Sequence, residues 1–470
     1  VVPVALSKTA GAPAFGNQWG VNISRAGDYL LRAFLRVTIP SVTINPNNPW
    51  GSNARIRWTR NLMHSLIREC SITFNDLVEM RFDNFYLDMW SQFAMPNGKR
   101  NGYQNMIGNV EDLINPYVPG SAAGTNAGKI LPSATLNLPL PICHARDTGV
   151  GLPTAALPYN EMRLNFNFRD WKELLIIDNL MIPAGGTGNS GTTPINGVSR
   201  PATESDVLTP PVLQLVDVWA EYAIVSNNER KQMGQAPRDI LIEQVQTVPT
   251  VAFNASAPNT ADIRLSHAVK AFMFGVRNKT NSAEWANYTC ASPVPQLSGV
   301  DFAVDLASDP IRSVSLLYES TQRLSNMGAD YFSLVNPWYN AVSIPSETGY
   351  HLYSYSLDIM SVNPMGSTDL GKLTNVSINV VPSDDALTAS TTGGTLSSPA
   401  GTFITRGAGV QQQFEFILVA INHNIVRVSG GALGFLVRFL IVIIAKFLIF
   451  IENFVVITAC KGALNRRVLM

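Results

Sequence analysis

At 470 residues the chain exceeds the size at which one hydrophobic core usually stops growing, so two units of roughly 200 residues each are expected. Lys+Arg and Asp+Glu both number 34, a formal net charge of zero, which excludes long-range attraction for a phosphate backbone and makes direct nucleic-acid binding an unsuitable function. Charged residues are 14% of the chain, against about 25% in an ordinary soluble domain, and hydrophobic residues are 46%, a balance suited to faces covered by neighbours.

In chain order, Leu31, Ala33, Leu35, Val37 and Ile39 alternate with Arg32, Phe34, Arg36 and Thr38, which predicts a strand with one face inward. Phe82, Phe85, Tyr86, Met89 and Phe93 then fall at helical spacing, with Asp83 placed to cap the helix. Met162 to Phe168 separates apolar from polar positions without exception, as a strand covered on one side requires. Near the midpoint, Ser226 and Glu229 have capping-box spacing and Gly234 is a natural stop, so residues 226–236 read as a helical linker. It joins one sandwich ending near Tyr222 to Val225 to another opening at Ile240 to Val245. Later, Val376, Ile378 and Val380 alternate with polar neighbours, and Phe414, Phe416, Leu418 and Ala420 repeat the pattern before Asn422, His423 and Asn424 turn the chain back into Ile425 to Val428. Between these elements lie Gly/Pro/Ser/Thr-rich loops at 115–132, 183–211, 292–310 and 382–409, long enough to be functional surfaces. Many strands, few helices and large loops define an all-β class: two consecutive antiparallel jelly-roll sandwiches, 1–225 and 237–435.

Chemical motifs are sparse. Gly186 to Gly191 matches GxGxxG but is followed by Thr192, Thr193 and Pro194 rather than a helix, so it reads as a surface loop. Asp147-Thr148-Gly149 lacks the second carboxylate an aspartic protease needs and reads as a turn ion-paired to Arg146. His64, His144, His267, His351 and His423 have no ligand spacing and read as polar or core fillers. Cys70, Cys143, Cys290 and Cys460 are far apart and read as free thiols, and adjacency places Cys143 and His144 on opposite strand faces. Sequons at Asn22, Asn254, Asn278, Asn287 and Asn375 read as unmodified, because the stretch from Val1 to Pro13 shows no signal peptide. Trp90 and the pair Trp338-Tyr339 suit core or interface packing better than sugar stacking. No catalytic, cofactor-binding or metal-binding residue is nominated, and an enzyme is not expected. Two rivals are a glycan-reading surface built from the outer loops and a β-sandwich hydrolase, for which no carboxylate pair stands out.

Several unbroken blocks resemble the major capsid protein of iridoviruses, the invertebrate members in particular. They include Ser24 to Leu31, Ile56 to Trp58, Cys70 to Leu77, Asn105 to Asn109, Leu157 to Arg163, Tyr331 to Tyr339 and Ser429 to Phe435, and together span most of the chain from Phe15 to Phe435. The resemblance implies a double jelly roll, three copies of which form a capsomer of six-lobed outline that tiles an icosahedral virion shell assembled in the host cytoplasm. It implies as partners the chain itself as a homotrimer, neighbouring capsomers, minor capsid proteins and, as a further candidate, an internal viral membrane. A threefold ring of such chains presents six similar sandwiches and so fits a near-hexagonal lattice.

The sequence departs from that family at its ends. Most of the usual N-terminal arm ahead of Phe15 is absent or altered, and the chain runs on from Leu436 to Met470 as an atypical hydrophobic tail. The strongly apolar residues of 436–459 sum to about −8 kcal/mol on an insertion scale, and Arg438, Lys446 and Glu452 together contribute about +9. A membrane span is therefore marginal. The tail reads as sequence translated past a mutated or misread stop, with no selected role, helical, poorly packed and outside the fold.

Overall fold

The computed structural model describes residues 1–50, 54–75, 77–114, 129–179, 198–235, 237–291, 308–392 and 411–435. The tail 436–470, Cys460, the glycine run 186–191 and most of the four long loops lie outside the described residues.

The first sandwich opposes two antiparallel sheets. One runs in the order Val2–Ala5, Leu215–Ala223, Tyr29–Ile39, Ala134–Pro139. The other runs Ser7–Ala10, Gln18–Asn22, Met162–Phe168, Ile67–Phe74, Leu77–Phe82. Alternation decides which side chains fill the space between them: Met162, Leu164, Phe166 and Phe168 are buried, whereas Arg163, Asn165 and Asn167 are half-buried on the other face. In Tyr29–Ile39 the inward set is Leu30, Ala33, Leu35, Val37 and Ile39 rather than one beginning at Leu31. The register against Leu215–Ala223 shifts between Glu221 and Tyr222, which brings Tyr222 opposite Leu30, and a shift of one residue exchanges the faces.

The second sandwich repeats the plan. Its first sheet runs Arg238–Thr247, Phe414–Ser429, Ala268–Asn278, His351–Ser354, and its second runs Asn259–Asp262, Val376–Pro382, Ile311–Tyr318, Thr321–Gly328. Phe414–Ser429 is one continuous strand of 16 residues, so Asn422, His423 and Asn424 form no turn. The asparagines are tolerated inside the ladder because Asn422 and Asn424 both donate to Gln244 on the neighbouring strand, and Gln246 donates to Asn422. The predicted loop at 382–409 contains the helix Asp384–Thr392, which Ser383 caps through the Ala386 amide and which buries Ala386 and Ala389.

The central sheet of the second sandwich is covered on both sides. Phe272, Phe274, Val276, Phe416 and Leu418 face the interior of their own sandwich, while Ala271, Met273, Ile417, Val419 and Ile421 join a core continuous with that of the first. Such strands read as unbroken apolar runs for that reason. The covering layer from the first sandwich is the helix Asn84–Ala94, which contacts Ala268–Asn278 and Phe414–Ser429, together with Leu77–Phe82, which contacts Arg238–Thr247. Asp83 caps this helix, accepting from the Tyr86 amide at 2.9 Å. The helix Asn227–Gln235 follows the last strand of the first sandwich and is tied to it by Arg230, whose Nε and Nη2 donate to Asp28 at 2.7 and 2.9 Å. Gly349, at φ +97°, brings the chain into His351–Ser354, and a Cβ there would lie 2.1 Å from the Tyr288 carbonyl oxygen, so only glycine passes.

Candidate functional site at the seam between the sandwiches

Three buried polar clusters bring together residues of both sandwiches. In the first, the turn Cys143–Ala145 and the residue after it bring His144 to the edge strand of the first sandwich and Arg146 to that of the second. His144 Nδ1 lies 2.6 Å from the Val150 carbonyl oxygen and Nε2 lies 2.9 Å from Glu79 Oε1. A carbonyl only accepts, which fixes a proton on Nδ1. Burial works against a charge on this ring, but the Glu79 carboxylate and the two hydrogen bonds outweigh it and hold its pKa above the ordinary histidine value. Arg146 stacks 4.3 Å from the ring centre of Trp90 and pairs with Glu243, whose other oxygen lies 2.6 Å from Lys270 Nζ. Lys270 also donates to the carbonyls of Ile359 and Ser361 at 2.8 and 2.6 Å. Burial pushes the Lys270 pKa down, with Glu243 pulling it back, and burial likewise lowers that of His423 beside it.

Deeper in the seam, His64 Nδ1 lies 2.6 Å from Asp88 Oδ1 and its Nε2 lies 2.7 Å from the Tyr103 hydroxyl. Asn61 donates to the same Asp88 oxygen, and Tyr288 of the second sandwich donates to the other at 3.3 Å. In the third cluster Arg57 bonds Asp178 at 2.8 Å and, across the seam, Glu284 at 3.2 Å. Two guanidinium groups lie against the Trp285 ring, Arg169 of the first sandwich at 3.7 Å from its centre and Arg277 of the second at 4.0 Å, and its Nε1 donates to the Glu173 carbonyl at 2.9 Å. Burial brings the Arg169 pKa down to about 10.

These contacts correct several sequence expectations. Cys143 and His144 lie in a turn, not on opposite faces of a strand, and with Glu79 their ligand atoms fall within 4.8 Å of one another. Burial pushes the Cys143 thiol up to about 12, so it is neutral, and both His144 nitrogens are engaged in hydrogen bonds. Arg146 pairs with Glu243 across the seam rather than with Asp147, although Thr148–Val150 does form the expected turn. His64, His144 and His351 are each bonded to a carboxylate, Asp88, Glu79 and Asp309 respectively. Among the sequons, Asn278 and Asn287 are buried and hydrogen-bonded. Cys70, Cys143 and Cys290 are free and buried. Trp338 and Tyr339 are exposed, and Trp90 lies half-buried under Arg146.

Sequence reasoning missed the seam itself. Its signal was a charge set among apolar residues within a strand: Glu79 in Leu77–Phe82, Glu243 in Arg238–Thr247 and Lys270 in Ala268–Asn278. A charge buried in this way needs a partner from another element. The clusters pin two surfaces in one register, and an apolar cavity of about 540 Å³ beside them, walled by Leu87, Trp90, Met95, Met106 and Met360, adds packing space rather than reacting groups.

Two jelly rolls locked at such a seam define a double jelly-roll protein of the kind that builds viral shells. The fold is similar to that of a chain in the quasi-atomic model of the PBCV-1 virus capsid, with a TM-score of 0.67 and 18% identity over 92% of this chain and 95% of that one. The chain belongs to the large eukaryotic DNA virus major capsid protein family: the model of that name matches residues 229–434, and a model of the major capsid protein N-terminus matches residues 3–225. It is 54% identical over 438 residues to the major capsid protein of Costelytra zealandica iridescent virus, covering 92% of this chain and 89% of the relative. Identity to that of Invertebrate iridescent virus 6 is also 54%, with the same coverage. The chain is a major capsid protein of a large DNA virus and a component of the virion shell.

Proposed function

We propose that three copies close into a capsomer of six-lobed outline, and that such capsomers tile the icosahedral shell. The observation that carries this reading is the seam: a core continuous between the sandwiches makes each chain one rigid two-lobed block. Three such blocks about an axis give six similar lobes while every chain keeps one fold. The chain divides at the helical linker 226–236, and it acts by shape and surface complementarity, with no catalytic, cofactor or metal residue of its own. Neighbouring capsomers, minor capsid proteins and an internal membrane are its further partners, and the neutral net charge accords with a shell that does not grip the genome directly. Native mass measurement of the purified protein, with negative-stain imaging, tests the reading. A particle of three chains with hexagonal outline is expected, and a monomer at every concentration overturns it.

A further inference from the structure

The apolar cavity beside the seam runs between two helices. Leu87, Trp90, Ser91 and Ala94 line it from one face of the helix Asn84–Ala94, over about 10 Å of helix axis, and Gly102, Tyr103 and Met106 line it from one face of the helix Arg100–Ile107. Pro139 and Leu140, where the strand Ala134–Pro139 ends, add a third wall, and Met360 of the second sandwich adds a fourth. The exposed members of the lining, Gly98, Lys99, Gly102 and Pro139, mark its mouth. Gly102 lies inside a helix, where glycine is disfavoured, yet a Cβ there would meet nothing within 4 Å. Close packing does not demand glycine at this position, and its effect is to leave the mouth wide.

The chemistry of the walls selects the occupant. They are mostly indole, thioether and aliphatic carbon, and three of the lining residues are methionines, Met95, Met106 and Met360, whose unbranched side chains adapt to an irregular guest. The Ser91 hydroxyl donates to the Asp88 carbonyl and the Tyr103 hydroxyl is bonded to His64, so both are engaged within the protein. Lys99 is the one charged residue among the described lining residues, and it stands at the mouth. An elongated apolar slot of about 540 Å³ with a cation at its opening is complementary to one small amphiphile with a hydrocarbon tail and an anionic head.

We propose that the slot binds a long-chain carboxylate, its tail between the two helices and its head at Lys99, and that the bound tail braces the seam. Met360 sits between Ile359 and Ser361, whose carbonyls hold Lys270, while Trp90 lies under Arg146 and Tyr103 holds His64. A tail in the slot therefore touches both sandwiches and backs two of the three polar clusters. Dodecanoate, kept below its micelle-forming concentration, is the probe, applied to the purified full chain. One molecule per chain should bind in calorimetric titration, and the thermal unfolding midpoint should rise with its concentration. From octanoate to tetradecanoate, affinity should climb about fourfold per methylene and level off once the slot is full. Dodecyltrimethylammonium, with the same tail and the opposite charge, should bind about tenfold more weakly. Gly102→Leu, which plugs the mouth, should weaken dodecanoate about tenfold or more, and Lys99→Gln about threefold. Unaltered protein gives a readout free of any folding defect: dodecanoate should slow peroxide oxidation of Met95, Met106 and Met360 and leave exposed Met365 unchanged. Equal binding of the two head groups, many copies per chain with no levelling along the series, undiminished affinity in Gly102→Leu, or unchanged oxidation of the three lining methionines overturns the site.

Discussion

At the scale of single residues, the seam shows how charges survive in a protein interior. Glu243 faces both Arg146 and Lys270, Asp88 collects His64, Asn61 and Tyr288, and Arg57 holds Asp178 and Glu284. The Glu79–His144 pair lies beside the first of these clusters. The folded-state pKa of His144 is raised above its unfolded value of about 6.5, so the protein binds this proton more tightly when folded. The pair's stabilisation is therefore complete below about pH 6.5 and is lost as pH rises through the folded pKa. Denaturant titrations across that range should show stability falling on the alkaline side, and His144→Gln should flatten the fall. Superimposable profiles for the two proteins would remove His144 from this role. None of these partnerships was legible in the sequence, because partners such as Arg57 and Glu284 are separated by 227 residues, and neither local pattern nor composition carries their contact.

At the scale of elements, much more was legible. The alternation in Met162–Phe168 and Val376–Pro382 and the helical spacing from Phe85 to Phe93 describe the observed faces, since a side chain's direction follows directly from the period of its backbone. The misreadings have equally definite causes. Leu31 lost its inward place to a register shift set by a strand nearly 200 residues away, and Asn422 to Asn424 looked like a turn because their partners Gln244 and Gln246 lie on another strand. The helix Asn84–Ala94 gives a direct test, because its start depends on one side chain. Asp83→Ala should cost about 1 kcal/mol through loss of the bond to the Tyr86 amide, and Asp83→Asn, which keeps an acceptor oxygen, should cost much less. Equal losses in chemical denaturation would show that the charge on Asp83, rather than its cap, supports the helix.

At the scale of the whole molecule, the distribution of core residues sets how the chain unfolds. The interior of the first sandwich and the inner layer of the seam form one continuous cluster, and the second sandwich holds a separate one, the two sharing the strands Ala268–Asn278 and Phe414–Ser429. Those strands cannot open toward one core without disturbing the other, so calorimetry should give a single transition whose van't Hoff and calorimetric enthalpies agree, despite a length at which two are usual. The seam charges decide whether that coupling holds. Removing Lys270 leaves Glu243 paired with Arg146, whereas removing Glu243 leaves two buried cations facing each other. Glu243→Gln should therefore destabilise by about 3–5 kcal/mol and resolve the endotherm into two, because the second cluster keeps its own apolar interior when the seam loosens. Lys270→Met should cost less and keep one transition, since it loses the bonds to the carbonyls of Ile359 and Ser361 and to one Glu243 oxygen while Arg146 still neutralises that carboxylate. A single transition in Glu243→Gln, shifted by no more than in Lys270→Met, would mean that apolar contact alone joins the sandwiches and that the ion network only sets their register.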